Sequence, residues 1–304
     1  PYAECENLGL YVHIPFCKSI CNFCPYCKVR YSAELCDRYI DSLIQEIHIV
    51  GSQHAEHRKA TSLYFGGGTP ALAANRIKEI VNALSEHFII TEGIGLELHP
   101  DNVNVETLQM LKDAGVTKIS IGIQSFCDKY QKILGRKKID TAEMMSALSA
   151  VSFETVSMDF IFALPGQTYD DLKSDIDTAF LLGANHVAIY PFIDFTFTES
   201  PVTAMPKKDK RELLDAITQY CLGKGYSRNS IWTFSSGTDA NYSSMTRDNF
   251  LGFGCSATSL FKEQFKINTF DVDSYCERIR SGNLATSLTI RFTKRQRMVY
   301  WLFW

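Results

Sequence analysis

Residues 16–28, FCKSICNFCPYCK, hold four of the chain's 10 cysteines. Cys17, Cys21 and Cys24 read C-x3-C-x2-C, and Cys27 adds another x2 step. Thiols this dense serve disulfides or metal. Disulfide frameworks belong to secreted chains. Residues 1–304 show neither a charged stretch leading into an apolar leader nor an apolar run of membrane-spanning length. The other cysteines (Cys5, Cys36, Cys127, Cys221, Cys255, Cys276) stand singly. That is the pattern of small core residues in a reducing cytosol, so metal and a cytoplasmic location are expected. A structural zinc site commonly uses two C-x2-C hairpins far apart. No second such pair occurs downstream, and Cys27 as a fourth zinc ligand is crowded. The spacing puts an iron–sulfur cluster ahead of zinc. A cluster held by three cysteines leaves one iron open, as an active site needs.

Other residues with chemical potential stand at the ends of apolar runs. GGGTP (66–70) is a backbone segment without Cβ atoms that can approach a ligand closely. Its alternative role is a tight turn. Glu97 interrupts an apolar stretch, where an unpaired charge is costly. His13 sits in YVHIP and reads as a core histidine bonded to backbone; His99 precedes Pro100 and reads either way. GIQSF (122–126) lacks the second glycine of a nucleophile elbow.

These residues need a scaffold. Strand-like runs recur at 8–15, 61–67, 93–100, 117–125, 155–165 and 186–192. Helical spacing marks 37–47, 75–88, 105–115 and 169–183. Strands alternating with helices predict parallel β/α units, and six in line suit a barrel or partial barrel. Chemistry in such barrels sits at the C-terminal strand ends. The cysteines, GGGTP, Glu97 and Gln124-Ser125 all fall there. From about 205 the pattern changes to a helix (209–224), an irregular stretch (229–261), a short strand near 264–269 and a helix near 271–281. The expected division is a barrel over 1–204 and an α+β accessory region over 205–304 that covers its open side. The last residues, RMVYWLFW, read like the middle of a packed helix, so the native chain is expected to continue. Net charge is −3 and pI about 6.2, which gives no electrostatic footprint for nucleic acid.

The ordered set YVHIPFC, C-x3-C-x2-C, YFGGGTP, ELHP, ISIGIQSF…LGR, MDFIFALPGQT and GFG resembles the radical SAM superfamily. It is similar in particular to the group around oxygen-independent coproporphyrinogen III dehydrogenase, over roughly residues 8–260. The resemblance implies a partial (β/α)6 barrel. Cys17, Cys21 and Cys24 would hold a 4Fe–4S cluster whose fourth iron takes S-adenosylmethionine (SAM). It implies Tyr11 near the methionine end, Phe23 over the adenine, and Gly67, Gly68 and Thr69 at the amino group. Glu97, Gln124, Arg136 and Asp159 would hold the polar groups of SAM. An electron donor such as flavodoxin or ferredoxin is implied too.

Substrate is where the chain departs. The dehydrogenase usually carries a cysteine two residues after the third ligand; here Tyr26 stands there and Cys27 one later. The heme-chaperone branch has an HNxxYW motif, but no histidine follows His186. Three activities stay open: radical chemistry on a tetrapyrrole, radical methylation or cyclopropanation with a second SAM, and a non-catalytic heme carrier. Aromatics at 192–197 and 232–253, with Arg228 and Arg247, suit a planar or conjugated substrate with carboxylates. Arg247 is expected to face that substrate or a second SAM.

Overall fold

The computed structural model describes residues 7–53, 57–193, 195, 203–237 and 249–303. Six parallel strands form its centre: β1 (Leu8–Ile14), β2 (Ser62–Gly67), β3 (Ile94–Leu98), β4 (Lys118–Gln124), β5 (Thr155–Phe162) and β6 (His186–Pro191). Each pairs with the next in chain order. Strands β1 and β6 do not pair with each other, so the barrel is partial.

The crossovers are helices α1 (Ala33–Gly51), α2 (Ala74–Ser85), α3 (Val105–Asp113), α4 (Asp128–Ile133), α5 (Thr141–Ala150) and α6 (Tyr169–Leu181). Their apolar stripes explain the arrangement. Helix α2 buries Ile77, Ile80, Ala83 and Leu84, one face at helical spacing. Each such fully buried Leu or Ile contributes about 1.5–3 kcal/mol. Starts are capped by side chains: Ser32 accepts from the Leu35 N–H, and Thr168 and Asp171 make a reciprocal capping box on α6.

Both edges of the barrel sheet are extended, giving twelve strands. Strands β7 (Ser227–Arg228) and β8 (Thr233–Ser235) add antiparallel beyond β6. At the other edge β9 (Asn249–Phe253) lies parallel to β1. Strands β10 (Thr258–Phe261), β11 (Gln264–Asn268) and β12 (Thr286–Arg291) continue it as an antiparallel meander. Helices α7 (Lys207–Gly223), α8 (Val272–Arg280) and α9 (Lys294–Phe303) complete the fold.

The stretch expected to be irregular, 229–261, thus contains three strands. Gly252 shows why it read otherwise. A Cβ there would lie 2.2 Å from the Thr258 carbonyl oxygen, so its glycine serves close backbone approach inside a strand. Helix α5 also escaped the periodicity reading. The terminal apolar run is helical, but Met298, Val299 and Leu302 are exposed rather than packed.

Candidate functional site

The strand ends bring the expected residues together at one mouth of the barrel. Along the parallel strands, burial is interrupted at Tyr11, Glu97, Gly122, Gln124 and Asp159. Register aligns the polar row: Glu97 stands opposite Ser120, Ser120 opposite Ser157, and Gly122 opposite Asp159. The register puts Glu97, Ser120, Ser157 and Asp159 on one face of the sheet.

Glu97 is the most constrained member. Its Oε1 accepts from the Tyr64 hydroxyl at 3.1 Å, and its Oε2 accepts from the Gly67 N–H at 3.3 Å. Burial, and then the nearby Asp159 carboxylate, pushes the Glu97 carboxyl up to about 7. Asp159 accepts from Ser120 Oγ at 2.8 Å and Ser157 Oγ at 3.3 Å. Burial raises it to about 6. Both carboxyls are thus raised in the same direction, with burial the larger cause.

The GGGTP turn connects this pair to the cysteines. Gly67 has φ +117, a conformation that favours glycine, and turns its N–H onto Glu97. Gly68 N donates to the Ile14 carbonyl at 2.9 Å and Thr69 N to the Phe16 carbonyl at 2.7 Å. Thr69 Oγ1 reaches Cys17 Sγ at 3.9 Å. One short turn therefore touches both the first cysteine and the buried carboxylate.

Arg136 lies at the site rather than on the outer surface. Its Nε donates to Cys21 Sγ at 3.4 Å, its Nη1 to the Gly122 carbonyl, and its guanidinium stands 5.6 Å over the Phe23 ring. Gly135 next to it has φ +69 and turns the chain inward. Gln124 ends β4 at φ +71, an uncommon non-glycine conformation, beside an irregularity in the β4–β5 register.

The thiols fall into two sets. Among the described residues, the triads whose ligand atoms all lie within 4.8 Å of one another are His13/Cys27/Cys255 and His48/Glu86/His87. Cys17, Cys21 and Cys24 do not form such a set. Burial pushes Cys17 up to about 11 and raises Cys24, so loading a metal cluster there releases protons.

The Radical SAM superfamily model matches residues 11–179. The chain belongs to this superfamily. Radical SAM relatives include a heme chaperone HemW of Lactococcus lactis, 32% identical, covering 74% of this chain and 61% of its own length. An oxygen-independent coproporphyrinogen III oxidase of Pseudomonas aeruginosa is 26% identical over 91% of this chain and 67% of its own. The chain thus spans about two thirds of the length of these curated radical SAM relatives. Among solved structures, the Escherichia coli coproporphyrinogen III oxidase (HemN) superposes with a TM-score of 0.85, covering 96% of this chain and 74% of that one at 23% identity. That likeness places the architecture, including the carboxy-terminal strands and helices, in the same radical SAM fold.

Some expected features fall elsewhere. Arg247 lies outside the described residues, as do parts of 192–197 and 232–253. Arg228 is exposed and donates to the Ser230 and Ile231 carbonyls at 3.1 and 2.9 Å. His13 is a core histidine bonded to backbone, through Nε2 to the Cys27 carbonyl at 3.0 Å. Ser125 is buried and donates to Asp175 at 2.8 Å, a structural contact that holds the turn after β4. Sequence reasoning missed Tyr64, Ser120, Ser157 and Tyr190. The period-2 alternation of their strands could have found them, once the face carrying Glu97 was taken as the interior. No helix among the described residues is long and apolar enough to cross a membrane.

Proposed function

We propose that this chain is a radical SAM enzyme acting on a tetrapyrrole, with a 4Fe–4S cluster on Cys17, Cys21 and Cys24. The observation that carries the reading is the 66–70 turn, which joins Cys17 through Thr69 to the Glu97 carboxylate through Gly67. A cofactor bridging both must present metal-binding groups at one end and a cation nearby, as SAM does. When bound, the reduced cluster and SAM together supply one-electron cleavage to a 5′-deoxyadenosyl radical, which removes a hydrogen atom from substrate.

The chain's own residues bind and orient. Glu97, deprotonated, accepts from the ammonium of SAM or its ribose hydroxyls. Gly67 and Gly68 let the backbone close on the ligand, and Thr69 adds a hydroxyl. Phe23 covers the adenine. Arg136 offers a planar fork suited to a carboxylate. Tyr11, Gln124 and Asp159 complete the interior wall. Flavodoxin or ferredoxin suits the electron donor. The tetrapyrrole assignment draws on relatives named for heme and coproporphyrinogen.

Anaerobic reconstitution tests this directly. About four irons and four sulfides per chain are expected, and Cys24→Ala should lose nearly all of them. Coproporphyrinogen III or heme should accelerate formation of 5′-deoxyadenosine from SAM. A chain that holds one zinc at the triad and takes up no iron refutes the cluster. Iron loading without acceleration by either tetrapyrrole refutes the substrate class. Appearance of S-adenosylhomocysteine alongside 5′-deoxyadenosine would identify methyl transfer instead.

A further inference from the structure

Three side chains of metal-ligand type converge outside the cysteine triad. His13 of β1, Cys27 at the end of the cysteine loop and Cys255 after β9 place one ring nitrogen and two sulfurs within 4.8 Å of one another. His13 and Cys255 are buried and Cys27 is half-buried. None of the three has a part in the radical chemistry above.

The backbone builds this meeting point. The Tyr39 hydroxyl donates to the His13 carbonyl at 2.7 Å and accepts from the Cys255 N–H at 3.0 Å, fixing two of the three residues at once. Gly254, at φ +99, lets the turn come this close: a Cβ there would lie 2.6 Å from the His13 carbonyl oxygen and 2.4 Å from the Tyr39 hydroxyl. Ser256 follows at φ +55, an uncommon non-glycine conformation. The imidazole is held as well, with its Nδ1 3.0 Å from the Tyr11 hydroxyl.

We propose that His13, Cys27 and Cys255 form a second metal site, a mononuclear zinc clip that ties the cysteine loop to β1 and to the carboxy-terminal strands. Two thiolates and one imidazole are a donor set suited to zinc(II). Two thiolate charges neutralise the ion, so the buried site carries no net charge. In the metal-free chain Nε2 donates to the Cys27 carbonyl; on binding, Nε2 would give up that proton and bond to face the metal, and Nδ1–H would donate to the Tyr11 hydroxyl. Such an outer hydrogen bond is the usual support of a zinc-bound histidine. The Ser256 hydroxyl or a water closes the fourth position. Zinc binding would displace the thiol protons of both cysteines. The clip does not depend on the radical reading and would hold the loop bearing Cys17, Cys21 and Cys24 in place.

The test uses anaerobically iron-loaded full-length chain, incubated with zinc and then desalted. Wild type should retain about one zinc per chain. X-ray absorption at the zinc edge should show about two sulfurs near ~2.3 Å and about one nitrogen near ~2.0 Å. Cys255→Ala should lose the zinc and keep its iron, while Cys24→Ala should do the reverse. Cys27→Ser, at the half-buried position, repeats the loss should Cys255→Ala fail to fold. The site is overturned if iron-loaded wild type retains no zinc, or if Cys255→Ala retains it. An all-sulfur zinc shell, or a Cys27–Cys255 disulfide in place of metal, overturns it equally.

Discussion

At the scale of single residues, Glu97 is where charge and burial meet. Its carboxyl sits near 7 because burial, reinforced by Asp159, disfavours the anion more than Tyr64 and Gly67 favour it. A cationic ligand needs the anion. SAM affinity should therefore rise as pH increases through about 7, and this dependence should vanish in Glu97→Gln. That variant keeps size and loses charge, so binding should weaken by about 1.5–3 kcal/mol, measured by calorimetry on cluster-loaded protein. The stability consequence has a definite sign. A carboxyl raised from its ordinary 4.5 stabilises the free fold fully below 4.5, and that contribution is lost as pH rises through about 7. SAM should accordingly raise the Tm more above pH 7 than below it. Equal increments on both sides would assign Glu97 a structural role alone.

At the scale of elements, the GGGTP turn carries the strictest demand. A Cβ on Gly68 would stand 2.6 Å from the Phe16 carbonyl oxygen and 2.7 Å from the Pro15 carbonyl carbon. Both are backbone atoms, so no side-chain rotation relieves the clash. Gly68→Ala should push the turn off the segment leading into Cys17 and break the bonds from Gly68 N to Ile14 and from Thr69 N to Phe16. An overpacking cost of about 1–3 kcal/mol is expected, together with loss of SAM binding. Gly223→Ala, at the end of α7 with no atom close to the new Cβ, should be neutral or slightly stabilising. Denaturant titration of both variants checks the contrast; equal effects would mean the turn is free to adjust.

At the scale of the whole molecule, a buried carboxylate joins the barrel to the carboxy-terminal strands. Glu46, on α1, accepts from the Gly254 N–H and the Tyr275 hydroxyl at 2.7 Å and from Asn268 Nδ2 at 2.9 Å. These partners come from the turn after β9, from α8 and from β11. Burial pushes Glu46 up to about 7 despite three donors. Its stabilising contribution is thus complete below 4.5 and lost as pH climbs through about 7. Glu46→Ala strands two buried donors, the Gly254 N–H and the Tyr275 hydroxyl, each costing about 1–3 kcal/mol, while Asn268 Nδ2 keeps its bond to the Gly254 carbonyl. Hydrogen exchange should show β9–β12 and α8 losing protection well before β3–β5. Uniform loss across the sheet would show one cooperative unit rather than a joint at Glu46.

Six strands and four of the helices could be read from residues 8–192 alone, because side-chain periodicity is a local property of the chain, as is the C-x3-C-x2-C spacing. Glu97 was legible for a related reason: a charge inside an apolar run has a cost that must be met somewhere. The register that aligns Glu97 with Ser120 and Ser157 follows from packing of the strands, and no local pattern encodes it. Arg136 was expected near SAM only through the family resemblance; nothing local in GRKK places it, and the turn at Gly135 is what brings it to Cys21. Glu46 occupies a helix position indistinguishable from its exposed neighbours, and only the approach of Gly254, Asn268 and Tyr275 makes it a joint. Cys27 and Cys255 read as unrelated thiols because they lie far apart in sequence; the parallel pairing of β9 with β1 is what brings them together.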